Sequence, residues 1–169
     1  MYKANSQFCR LMGACLSGVL IFVASTGSAQ ENSDERSQNS AELTIRVTDI
    51  QQQQGNLNIA VIRSPEDYER FMSPPKEGQD GPEPSQGVVA PVTSDEVRAV
   101  IEDLSPGPCL VLLFHDLNDN GRMDTGFLGI PTEPYASSTG KRGRFGPPSW
   151  KKGMFEVSVG SNELIISLD

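Results

Sequence analysis

Apolar and polar positions alternate along much of the chain. In "ELTIRVTDI" Leu43, Ile45 and Val47 share one face, and "LNIAVI" repeats the pattern with Leu57, Ile59 and Val61. A period of two marks a half-buried strand. "QQQQGN" turns between the two around Gly55, which predicts a hairpin whose glutamines form a solvated strand end. "SPEDYERFM" breaks the alternation. Ser64 suits a cap, Pro65 a first helical position, and Glu66 and Asp67 the positive end of a short helix. Phe71 and Met72 are expected to hold that helix against the sheet. "SPPKEGQDGPEPSQG" reads as a surface loop. "VVAPV" is an edge strand interrupted by Pro91.

Further on, "EVRAVIEDL" aligns Val97, Ala99 and Ile101, while "SPGPCLVLLFHD" carries an unbroken apolar run. Such a run predicts a central strand buried on both faces. "MFEVSVG" and "NELIISL" complete the pattern as a terminal hairpin. The sum is an all-β fold: a two-layer antiparallel β-sandwich of prealbumin or immunoglobulin type. It has about seven strands, one short helix and a long 117–152 loop.

The first residues follow a different logic. Lys3 and Arg10 precede the apolar stretch Leu11 to Ala24, and Gly27 and Ala29 offer a small-residue cleavage site. This predicts a secretory signal peptide over 1–29, since the run is too short to span a bilayer comfortably. An uncleaved anchor is the alternative. A lipoprotein signal through Cys15 is weaker, because the apolar run follows that cysteine. "ENSDERSQNS" has no apolar residue, so 30–41 reads as a disordered spacer and 42–169 as the sandwich domain. The expected location is exported, periplasmic or extracellular.

Loss of Lys3 and Arg10 leaves 12 of 14 basic residues against 22 acidic ones, a net charge of about −10. That balance argues against nucleic acid and against a polybasic membrane surface, and no stable membrane span remains after cleavage. The expected partner belongs to the cell envelope or the exterior. Cys109 is then the one remaining cysteine and reads as a buried structural thiol in "PCLVLLF".

The chemistry concentrates in "HDLNDNGRMD". With Asp116 as position 1, Asn118, Asn120, Gly121, Arg122 and Asp124 fall at 3, 5, 6, 7 and 9, the offsets of an EF-hand-like calcium loop. Arg122 would contribute its backbone carbonyl. Position 12 is Phe127, so the bidentate glutamate is missing, and Glu133 is the candidate to close the shell. Affinity is then expected in the weak class of roughly 10⁻⁴ to 10⁻³ M. The same residues also build a metal-free turn, because Asn and Asp tolerate left-handed backbone. Calcium, a bare turn and another cation such as magnesium all remain open on spacing alone.

Together, "HDLNDNGRMDTGFLGIPTEPYASS" and "FGPPSWKKGMFEV" resemble the bacterial domain-of-unknown-function 2141 family. His115, Asp116, Asn118, Asn120, Gly121, Asp124, Gly129, Ile130, Pro131, Glu133, Tyr135, Phe145, Gly146, Pro147 and Pro148 match its pattern. The resemblance covers about Leu43 to Leu168 and implies a small exported β-sandwich, with no activity attached. The chain departs from the pattern at "ASSTGKRGR", Trp150, Lys151 and Lys152. The strand and loop around Asp116 are also similar to calcium-binding, prealbumin-like B repeats of surface adhesins, which implies a metal that stiffens the module.

Two other constellations remain. Lys141, Arg142, Arg144, Lys151 and Lys152 surround Phe145 and Trp150, either as a docking surface for an anionic partner or as a solvated loop pinned by its aromatics. His115 adjoins Asp116 without any nucleophile motif, so a structural role is expected and no catalytic residue is assigned. The leading expectation is a non-enzymatic binding or structural module stabilised by Ca2+. The alternative is a carboxylate-dependent hydrolase or carbohydrate-active enzyme using Asp116, Asp124 or Glu133. A metal-free scaffold within an envelope assembly is the third.

Overall fold

The computed structural model describes residues 2–3, 39–73, 84–141, 143 and 146–168. The expected leader apart from Tyr2–Lys3, nearly all of the spacer, residues 74–83 of the surface loop, and Arg142, Arg144 and Phe145 lie outside the described residues.

The strands are β1 (Tyr2–Lys3), β2 (Ala41–Thr48), β3 (Asn56–Ile62), β4 (Gln86–Pro91), β5 (Val97–Leu104), β6 (Gly107–Asp116), β7 (Tyr135–Ser137), β8 (Phe155–Val157) and β9 (Gly160–Ser167). Helix α1 spans Pro65–Met72, and a single turn, α2, spans Trp150–Gly153. One sheet runs β1-β5-β2-β9. The other runs β4-β3-β6-β7, with β8 also paired to β6. The two layers enclose one core, to which Leu43, Ile45 and Val47 contribute from β2, Leu57, Ile59 and Val61 from β3, and Val111 and Leu113 from β6. Each such side chain contributes about 1.5–3 kcal/mol by leaving water. The alternation therefore places these residues as expected.

Pairing departs from the sequence reading in four places, the first being that Tyr2–Lys3, within the expected leader, pairs in parallel with β5. The expected hairpin between β2 and β3 does not form: β2 pairs with β5 and β9, and β3 pairs with β4 and β6. The expected terminal hairpin is absent too, since β8 joins β6 while β9 joins β2. The β2–β9 pairing is parallel, so the sandwich is mostly rather than wholly antiparallel. At each of the two missing hairpins a short link crosses from one layer to the other. Alternation identifies the buried face of a strand but carries no information about its edge partner. The 117–152 stretch is also more structured than a loop, for it contains β7 and a 3-10 turn at Phe127–Gly129 and leads into α2.

Central strand β6 is buried on both faces, as its apolar run predicts. Cys109, Val111 and Leu113 enter the main core, while Leu110 and Leu112 join Ile62 and Tyr68 beneath α1. Burial pushes the Cys109 thiol up from its ordinary range. Helix α1 begins as foreseen, with the Ser64 side chain accepting from Asp67 N and Pro65 in the first turn. Its anchors are Tyr68 and Phe71, whereas Met72 is 40% exposed and does not dock. The Tyr68 hydroxyl donates to the Pro148 carbonyl at 2.8 Å, tying α1 to the segment before α2. Tyr68→Phe leaves that carbonyl without its donor and should lower stability by about 1–2 kcal/mol in a denaturant titration.

Candidate functional site

The acidic loop leaves the end of β6, where register sets Asn56 opposite Asp116 and Leu57 opposite His115. His115 is 1% exposed, and its Nε2 lies 2.6 Å from the Gln54 carbonyl. A carbonyl can only accept, so Nε2 carries the proton and the ring serves as a strut between β6 and the start of β3. Gly55, at φ +68°, brings its backbone so close that any Cβ would overlap the Asp116 carbonyl oxygen.

Asp116 is 2% exposed and anchors the turn. Its Oδ2 accepts from Gly121 N at 2.7 Å and from Asn58 Nδ2 at 3.4 Å, and its Oδ1 accepts from Asn120 N at 3.2 Å. Asn118 Oδ1 accepts from Asn120 N (3.1 Å) and Asn120 Oδ1 from Arg122 N (2.8 Å). Asp119 and Gly121 take left-handed backbone, at φ 58° and 73°. Asp and Gly tolerate that conformation, which is why "NDNG" folds here. Asp119 also accepts from Asn56 Nδ2 at 2.6 Å.

The amides of Asn118 and Asn120 converge on one carboxylate. They donate to Asp124 Oδ2 at 2.7 Å and to Oδ1 at 3.0 Å. Glu133, 6% exposed, closes the loop from behind: Oε1 accepts from Leu117 N at 2.9 Å and Oε2 from Asp124 N at 3.0 Å. The structure therefore brings together Asp116, Asn118, Asn120, Asp124 and Glu133. Arg122 contributes a backbone N–H to the network, and its side chain is exposed.

Chain reversal beyond Asp124 makes a knuckle. Thr125 bridges Pro131, Gly126 N donates to the Ile130 carbonyl, and the Asp124 carbonyl accepts from Thr132 N and Oγ1. Phe127 at its tip is 90% exposed and Ile130 is 53% exposed.

Of the basic patch, Lys141, Lys151 and Lys152 are exposed. Trp150 packs on the small cluster under α1, so this aromatic does pin its segment. A recess of about 350 Å³ opens where β7 and β9 face each other, lined among others by Tyr135, Ser137, Lys141, Pro148 and Ile165. None of Asp116, Asp124 or Glu133 lines it.

Spacing alone missed Gln54, Gly55, Asn56 and Asn58, which underlie the loop from sixty residues upstream. The expected hairpin pairs β3 with β2 and says nothing of β6, the strand β3 actually joins.

Asn118 and Asn120 turn N–H groups toward Asp124, while their oxygens accept the Asn120 and Arg122 N–H groups, so oxygens would face that point only if both backbone bonds were given up. Among the described residues, no three His, Cys, Asp or Glu side chains form a group that could hold a metal ion. Among the described residues, no helix is long and apolar enough to cross a membrane.

No curated protein and no solved structure matches the chain. A family model does match, over residues 45–165, with the description "Uncharacterized protein conserved in bacteria". The match takes in both sheets, the acidic loop and Glu133, and the chain belongs to that bacterial family of unknown function, domain 2141.

Proposed function

We propose that this chain is an exported, non-catalytic β-sandwich module that binds or braces within the cell envelope, with calcium ordering its 116–124 loop. The observation that supports it is the inward convergence of Asn118 and Asn120 on Asp124, above buried Asp116. Positions 3, 5 and 9 of the loop thus already face one point, and two amide rotations would supply oxygens there at the cost of the bonds from Asn120 N and Arg122 N, in keeping with weak affinity. Glu133 acts as a clasp for the loop's two ends rather than as a ligand. The non-catalytic reading rests on the same bonds. Every carboxylate oxygen of Asp116, Asp124 and Glu133 accepts an N–H, which leaves no carboxyl group poised for proton transfer to a substrate.

Calcium titration by calorimetry, paired with thermal melts in calcium and in EDTA, tests this. The expected dissociation constant is roughly 10⁻⁴ to 10⁻³ M. At ten times that concentration the protein should gain about 1.4 kcal/mol. Asp124→Asn should abolish the effect, and magnesium should bind more weakly because it demands near-octahedral geometry. If millimolar calcium gives neither heat nor a shift in Tm, the loop is a self-sufficient turn and the module is a metal-free scaffold.

A further inference from the structure

We infer that Asn120 is a self-modification site: its side-chain amide is lost to attack by the Gly121 backbone nitrogen, at a rate set by opening of the acidic loop. Asn120–Gly121 is the sole Asn-Gly pair in the sequence, and both residues are exposed. A glycine has no Cβ to keep its nitrogen from a preceding side chain. Nothing lies within 4 Å of the place a Gly121 Cβ would occupy, so water has access to this side of the turn. In the reaction the Gly121 nitrogen loses its proton and bonds to Asn120 Cγ. The Cγ–Nδ2 bond breaks, and the amide leaves as ammonia with that proton. Water then opens the resulting cyclic imide at either carbonyl, giving aspartate or its main-chain-extended isomer. The sum replaces NH2 by OH, and nothing is oxidised or reduced.

In the closed loop each reacting group is tied down. Asn120 Oδ1 accepts from Arg122 N at 2.8 Å and Nδ2 donates to Asp124 Oδ1 at 3.0 Å, which fixes the amide. Gly121 N donates to Oδ2 of buried Asp116 at 2.7 Å, which pins the peptide plane. A carboxylate is far too weak a base to take a peptide proton, so this bond restrains the nitrogen rather than activating it. Ring closure needs amide and nitrogen in near-attack geometry, and these bonds must break first. The modification therefore proceeds through locally opened loops. Its product also disfavours reclosing. The Asn120 amide that donates to Asp124 becomes a carboxylate facing that carboxylate, and like charges repel. The chemistry requires no bound cation and stands apart from the calcium reading.

Peptide mass mapping of Asn120 during incubation in EDTA, at mildly alkaline pH, tests the site. The rate should fall in the order guanidinium-unfolded wild type, folded Asp124→Ala, folded wild type. Loss of the Asp124 acceptor should speed the folded protein by about tenfold, the rate equivalent of one hydrogen bond to a charged group. Circular dichroism checks that Asp124→Ala stays folded. Gly121→Ala, compared with wild type in guanidinium, should react more slowly, which tests the chemistry where folding plays no part. Equal rates for folded and unfolded wild type, no product in the folded proteins, an Asp124→Ala variant no faster than wild type, or an indifferent Gly121→Ala overturns the inference.

Discussion

Gly55→Ala should destabilise the domain by about 3–5 kcal/mol, a large share of a typical total. Two costs combine. At φ +68° an L side chain pays about 1–2 kcal/mol for left-handed backbone. The added Cβ would also overlap the Asp116 carbonyl oxygen, which belongs to the central strand and cannot rotate aside. Relief requires the start of β3 to move away from β6, which would stretch the 2.6 Å bond between Gln54 and His115. Gly55→Asn separates the two causes, because asparagine tolerates positive φ but carries the same Cβ. It should be nearly as damaging as alanine. Urea titrations measure both variants, and a loss under about 1 kcal/mol for either would show that the close approach does not constrain the fold.

Glu133→Gln is the second. Each Glu133 oxygen accepts one backbone N–H, from Leu117 and from Asp124, so a carboxylate satisfies both and an amide satisfies one. The glutamine nitrogen would face a donor, at a cost of about 2–3 kcal/mol. Glu133→Ala removes both acceptors from a site that is 6% exposed and should cost about 3–5 kcal/mol. Thermal melts should show a fall of order 10 °C for Ala and less for Gln. Hydrogen exchange gives the local signature: the Leu117 and Asp124 amides lose protection before those of the β2–β5 ladder. Uniform loss across the domain, or a Gln variant as stable as the wild type, would contradict the clasp.

The two substitutions probe the loop from opposite sides, and they differ in how far each was legible. Asp116, Asn118, Asn120 and Asp124 announce themselves by spacing, because turn chemistry is local and each bond within the loop spans at most six residues. Glu133 was visible as a nearby acid, but its use as a double acceptor depends on the reversal through Thr125 and Pro131. Gly55 read as an ordinary turn residue, and the contact that requires it comes from β6, sixty residues later. Of the two alternatives left open for the basic segment, the packing of Trp150 on the small cluster is what a pinned loop expects, whereas Met72 does not dock, since Tyr68 and Phe71 face that cluster instead.

The positions of the longer strands, the two-faced burial of β6 and the start of α1 were legible in the chain alone, because period and capping act over a few residues at a time, whereas three-residue β7 was not. Which edges meet was decided only in three dimensions. The parallel union of β2 with β9, the β3–β6 pairing beneath the acidic loop and the recess between β7 and β9 all arise from links that change layer. A buried face can pack against several neighbours, and the enclosure of one shared core selects among them.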